Sequence, residues 1–209
     1  MADFTKEQKA LFKKLNTPAK VQDFLNKIPI NFELDKVNSL KSPLLVMREW
    51  NAHCIEAAIL GAYILSLHGH KPLLMDLKTT NEDYEHVVAV YKVDGYWGAL
   101  SKSNHYSLRF RDPVYKNIRE LALSYFNEYF TDDGTKTLRQ YSAPLDLSIF
   151  ADDWVTEEAY GLWGIDDELE YIKHYDIGPK KTMNKLRLAD EIEREAGKMT
   201  QYQKPNKNI

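Results

Sequence analysis

The sequence predicts an α+β domain, in which one apolar helix packs against a small antiparallel sheet and other helices surround them. Three stretches carry that expectation. Residues 54–67, CIEAAILGAYILSL, are apolar almost all round with Glu56 the single charge, as a helix at the centre of a domain reads. HVVAVYKV (86–93) and YWGALS (96–101) are β-branched and aromatic runs joined by Asp94-Gly95, the favoured pair for a two-residue hairpin turn. Proline follows Thr17 and again Ser42, which marks two helix starts: a hydroxyl caps free N–H groups, and proline at the first helical position has no N–H to lose.

In chain order, residues 5–15 read as a short helix with Leu11, Phe12 and Leu15 on one side. The second helix starts at Thr17-Pro18, turns Val21, Phe24 and Leu25 inward, and is ended by Pro29. INFELDKVNS reads as extended and crosses to Ser42-Pro43, where a third helix runs through Leu44, Leu45 and Met47 towards Trp50. The apolar helix follows from Cys54. His68 to Pro72 break its periodicity, and PLLMDL (72–77) reads as a short buried strand. If Val93 pairs with Tyr96 in the hairpin, Val88 falls opposite Ser101 and His86 opposite Ser103. Alternation then puts His86, Ser101 and Ser103 on one face, with Asn104 pointing away unless a bulge re-aims it.

Beyond the hairpin, SLRFR (107–111) alternates like a strand, and Asp112-Pro113 is expected to cap a surface helix facing inward through Val114, Ile118, Leu121, Tyr125 and Phe126. Asp133-Gly134 closes it. KTLRQYSAPLDLSIF reads as a strand and an extended passage, and residues 154–175 as an acidic helical stretch broken at Gly161 or Gly164, packing through Trp154, Trp163, Ile165 and Leu169. Gly178-Pro179 marks a boundary. Residues 180–209 hold one charged helix, KLRLADEIEREAG, and a polar tail expected to be disordered. The division expected is a single domain over 1–179, with a helical extension at 1–41, a core at 42–150 and an acidic segment at 151–179, followed by the C-terminal helix and tail.

Composition narrows the function classes. With 209 residues, 44% of them hydrophobic, the chain can bury one sizeable core. A net charge of −3 and a pI near 6.1 argue against nucleic acid or an anionic membrane as partner. One cysteine excludes an internal disulfide. With no leader-like start and no apolar run of about eighteen residues, the expected compartment is a reducing cytoplasm. Neither Cys-x-x-Cys nor His-Glu-x-x-His occurs, so no metal is expected, and the missing Gly-rich phosphate loop and Gly-x-Ser-x-Gly leave nucleotide hydrolysis and serine-hydrolase chemistry without support. No cofactor is expected.

The chemistry that remains is that of a thiol. Cys54 opens the apolar helix, where unpaired N–H groups and the positive end of the helix dipole favour the thiolate. His86 heads the first strand of the hairpin. A free cysteine is more often packing than chemistry, and a buried histidine is often satisfied by backbone, so both bland readings stand beside the catalytic one.

A cysteine opening a buried helix, a Gly-containing link to a strand, and a histidine heading a strand-Asp-Gly-Trp-strand hairpin resemble the transglutaminase-like branch of the papain-type cysteine enzymes. NTPAKVQDFL, HVVAVY, GYWGALSKSNH, LRFRDPVYKNIRELALSYFNEYF and KTLRQYS together are similar to an uncharacterised set of bacterial proteins described only as transglutaminase-like. The resemblance implies a papain/transglutaminase-like fold, with Cys54 as nucleophile and His86 as general base. Where that family has its aspartate, fifteen residues past the histidine, this chain has Ser101. A serine can fix the imidazole tautomer but supplies no full charge. Asn104 could fill the role, as could Asp76 or Asp83. The resemblance also asks for an upstream oxyanion donor, for which Trp50 and Asn51 are candidates. Arg109 and Arg111 form a basic cluster that could hold a substrate carboxylate or phosphate.

The function expected is thiol-dependent acyl transfer or amide hydrolysis on a peptide, protein or small amide. The alternative is a catalytically weak fold kept as a peptide or small-ligand binding module, since Ser101 replaces the aspartate.

Overall fold

The computed structural model describes residues 4–32, 39–159 and 161–204, so residues 33–38 of the expected extended passage lie outside the described part. Helices α1 (Lys6–Lys14) and α2 (Pro18–Leu25) open the chain. Thr5 and Gln8 close a reciprocal capping box on α1, and Thr17 caps α2 with Pro18 at its first position. α2 stops at Leu25, before Pro29 is reached. Helix α3 (Pro43–Glu49) starts from the Ser42 hydroxyl and stops at Trp50, whose φ of 57° is left-handed. Helix α4 (Cys54–Ser66) is buried at every residue from Ile55 to Leu65, Glu56 included.

Strand β1 (Leu73–Lys78) leads into the hairpin of β2 (His86–Val93) and β3 (Tyr96–Leu100). The register runs from Val93–Tyr96 to Ala89–Leu100, as the Asp94-Gly95 turn requires, and both turn residues have positive φ, 51° and 84°. The ladder stops at Leu100, which leaves the chain from Ser101 onward free to turn.

Two expectations fail past the hairpin. Residues 107–110 form no strand, and Asp112-Pro113 caps no helix; both residues lie inside β4 (Arg111–Tyr115), which pairs with β3. Proline is tolerated there because β4 is an edge strand, and Val114, expected inward, is 64% exposed. The helix begins later, at α5 (Ile118–Leu123), where the Asn117 side chain accepts from the Glu120 N–H. It closes at Leu123, well before Gly134.

Strands β5 (Gln140–Ser142) and β6 (Leu145–Asp146) both pair with β1. The acidic stretch is one 3-10 turn (Asp152–Val155), helix α6 (Trp163–Tyr171) and strand β7 (His174–Asp176), in place of a long helix. Trp163, expected to pack, is 44% exposed. The sheet order is β4-β3-β2-β1-β5-β7, with β6 beside β1, and every pairing is antiparallel.

Strand alternation divides the core into two layers. Leu74, Val87, Ala89, Tyr91 and Leu100 pack with α4, while Met75, Leu77, Val88, Val90 and Ala99 face Leu121, Tyr125, Tyr129 and Leu138. The C-terminal part is two short helices, α7 (Lys180–Met183) and α8 (Glu191–Gly197), because Asp190 and Glu193 cap a new start there. Its tail is not free as far as residue 204. The Tyr106 N–H donates to the Met199 carbonyl at 3.0 Å, and the Gln201 N–H donates to that of Asn104 at 2.7 Å. Among the described residues no helix is long and apolar enough to cross a membrane.

Candidate functional site

Cys54 is half-buried at the first turn of α4, and its thiol lies within hydrogen-bonding reach of two imidazoles, His53 and His86. Burial pushes the thiol up, but the hydrogen bonds and positive charge of the two imidazoles outweigh it and hold Cys54 well below the usual thiol range.

His86 is buried, and its Nε2 lies 2.8 Å from the Ser101 hydroxyl. The direction of that bond follows from counting protons. A hydroxyl has one to donate, and Ser101 gives it to the Leu108 carbonyl. Towards His86 it therefore accepts, so Nε2 carries a hydrogen and Nδ1 is the nitrogen left to take the thiol proton. The Leu108 carbonyl is aimed by an unusual backbone: its φ of 55° is left-handed, held by an N–H donated to Glu128 at 2.7 Å. On the other side, the Gln22 side-chain amide accepts from the Ser101 N–H at 2.9 Å and donates to its carbonyl at 2.8 Å. Neither Leu108 nor Gln22 was distinguishable in the sequence, because only the fold brings α2 and the 101–108 loop to the hairpin end.

His53 was also missed as a partner of the thiol, although its position beside Cys54 was a signal. Its pKa is raised to about 9: burial pulls it down, and the Cys54 thiol, the Glu56 carboxylate and the Ser39 carbonyl more than reverse that. Its Nε2 lies 2.9 Å from that carbonyl. Glu56, fully buried, accepts from the His53 N–H, the Ser39 hydroxyl and the Lys41 N–H, each at 3.0 Å. Lys41 Nζ lies 3.7 Å from it. The lone charge of the apolar helix thus ties the residue before Cys54 to the segment at 39–41.

Other expected residues are engaged elsewhere. Both side-chain ends of Asn104 bind the Tyr202 backbone, at 2.9 and 3.0 Å. Asp76 meets His174 at 3.3 Å, and Asp83 accepts from the Thr137 hydroxyl at 2.5 Å. The Trp50 N–H closes α3 on the Val46 carbonyl at 2.9 Å, and the Asn51 carbonyl and side-chain oxygen both accept from Lys41 Nζ. Arg109 donates to the His105 carbonyl and Gln201. Arg111 pairs with Glu128 at 2.7 Å and lies over the Tyr125 ring. The nearby Lys102 is buried, with its ammonium on the Leu25 and Ile28 carbonyls just past α2. The cluster read as a substrate clamp binds the protein's own carbonyls and carboxylates.

Cys54 and His86 line a cleft of about 1690 Å³ whose walls come from the 79–87 loop, the 102–108 loop, residues 128–135 and α6. An antiparallel sheet on a buried helix opened by a cysteine, with a strand-borne histidine facing it, defines a papain/transglutaminase-like α+β fold. The Vasohibin family model matches residues 40–140, the span from the segment held by Glu56 to the start of β5. That family has the transglutaminase-like cysteine-protease fold, so the match supports the superfamily likeness and adds nothing to the bacterial one. No match was found among curated proteins.

Proposed function

We propose that this chain performs thiol-dependent acyl transfer, with amide or peptide hydrolysis as its form when water is the acceptor. The observation that carries the reading is Cys54 at the start of a buried helix, its thiol pKa lowered by His86, whose Nε2 is held 2.8 Å from the Ser101 hydroxyl so that Nδ1 is left for the thiol proton. The Cys54 thiolate attacks the acyl carbon, forming a C–S bond and an oxyanion. The Cys54 N–H, unpaired within the helix, is the available donor to that oxyanion. The His86 imidazolium gives its proton to the leaving amine as the C–N bond breaks. His86 then takes a proton from water or a second amine, whose attack breaks the C–S bond and restores the thiolate.

A second reading, a binding module, is favoured by one observation: the group orienting His86 is an uncharged serine. It predicts that Cys54→Ser keeps ligand affinity while no ligand is turned over.

The test is the rate of Cys54 alkylation by iodoacetamide against pH, in wild type and His86→Ala. Fast reaction well below neutral pH that slows in the variant is expected. A wild-type rate rising only above about pH 8, or no reaction until unfolding, sinks the enzyme reading.

A further inference from the structure

The cleft around Cys54 carries a charge that the net charge of the chain does not announce. Among the described lining residues, carboxylates outnumber lysines and arginines by ten to four. Those carrying the argument are Glu85 on the loop before β2 and Asp166, Asp167 and Glu170 on α6; Asp76 on β1 lines the same cleft but is a neutral acid at neutral pH, its carboxyl raised to about 8 by burial and the charge of Glu85. Lys78 pairs with Glu170 at 2.6 Å, and among the described residues no ion pair joins Glu85, Asp166 or Asp167. Asp76 and Asp166 are close enough to Cys54 to feel its charge. Burial raises both Asp166 and Glu85; neighbouring carboxylates raise them further, and the positive charge of His53 beside Asp166 and of Lys78 beside Glu85 offsets this only in part.

An independent feature points to a ligand. Tyr129 is 2% exposed and lines the cleft, and its hydroxyl has no hydrogen-bond partner among the described residues; the Asp76 Oδ1, on a side chain 3% exposed, has none either. Two buried polar atoms left unpaired beside a nucleophile are groups that a ligand completes. Tyr84, 90% exposed on the same wall, offers a ring face of the kind that holds a cation. The volume also bears on the occupant: about 1690 Å³ exceeds the roughly 300–1,000 Å³ usual for small-molecule pockets and fits an extended chain.

We propose that the cleft selects a peptide segment carrying lysine or arginine next to the acyl group offered to Cys54, with Glu85, Asp166 and Asp167 receiving the cationic side chain and Tyr129 and Asp76 completing polar contacts. This rests on Cys54 being the nucleophile. The basic cluster at Arg109 and Arg111 takes no part, since both guanidinium groups are bound internally.

The single cysteine makes the test direct. Cys54 is modified with three methanethiosulfonates, the neutral methyl, the cationic (trimethylammonio)ethyl and the anionic sulfonatoethyl reagent, each rate normalised to that with free glutathione. The expected result is a cation-over-anion preference of about tenfold or more, compressed by added salt and reduced in Glu85→Gln/Asp166→Asn/Asp167→Asn. Equal rates or an anion preference, with the neutral reagent still fast, overturn the proposal and leave the nucleophile standing. No reaction with any reagent in the folded protein overturns both.

Wild-type protein gives a second readout that needs no variant to fold. Acetyl-Gly-Lys-Lys-Gly-amide should protect Cys54 from iodoacetamide where the Glu-Glu counterpart at equal concentration does not. Equal protection by the two peptides, or protection by spermine alone, overturns the assignment of a basic peptide.

Discussion

Ser101 stands where a carboxylate was expected, and its single hydroxyl proton decides what it can do. Given to the Leu108 carbonyl, that proton makes Ser101 an acceptor that holds the His86 ring without charging it. Two imidazoles, His53 and His86, lower the Cys54 thiol pKa against the cost of its burial. We therefore predict that His53→Ala slows Cys54 alkylation at pH 6 by about tenfold or more, each unit of thiol pKa being tenfold in thiolate. An unchanged profile would mean that His53 is only a packing neighbour.

Asp76 is a second case at this scale. The His174 Nδ1 bonds the Ile172 carbonyl at 2.7 Å, so its Nε2 is bare towards Asp76. Burial, then the charge of Glu85, raises Asp76 to about 8, so at neutral pH it is the proton donor in that pair. The folded state thus holds a proton that the unfolded chain releases near 3.8, and stability falls as pH rises from about 4 to about 8. Asp76→Asn keeps the donor and removes the titration. Its unfolding free energy, read from urea midpoints, should exceed that of wild type by a margin that widens over that range, reaching on the order of a few kcal/mol. A margin independent of pH sinks the assignment.

Among elements, α2 and the hairpin are joined through one amide. The Gln22 side chain satisfies the buried N–H and carbonyl of Ser101, 79 residues away. Gln22→Ala leaves both unpaired and should cost about 1–3 kcal/mol, read as a shift of the urea midpoint. A midpoint unchanged within error would show that water replaces the amide. The local signals of these elements were legible: Thr17-Pro18, Ser42-Pro43, the all-apolar α4 and the Asp94-Gly95 register each rest on neighbours in sequence. Asp112-Pro113 misled because the same cap-then-proline pattern fits an edge strand, and the choice was made by pairing with β3.

For the whole molecule, the C-terminal tail covers the loop that carries Ser103 to Tyr106. Truncation after Lys198 removes the Met199 carbonyl bonded by the Tyr106 N–H, together with both bonds from Asn104 to Tyr202. Hydrogen exchange at the Tyr106 amide should accelerate, with a stability loss on the order of 1–2 kcal/mol. Unaltered exchange there would mean that the loop holds itself.

By itself the sequence determined the α+β class, the buried helix opened by Cys54, and the hairpin headed by His86 with its register from Val93–Tyr96 to Ala89–Leu100. Those follow from periodicity, capping and turn chemistry, which act over a few residues. Tertiary structure alone decided that Ser101 and not Asn104 meets His86, that Arg109 and Arg111 are internally bound, and that carboxylates from the loop before β2 and from α6 converge on one cleft. Those depend on contacts between residues tens of positions apart, for which no local pattern exists, and an acidic wall assembled from separate segments is invisible in a net charge of −3.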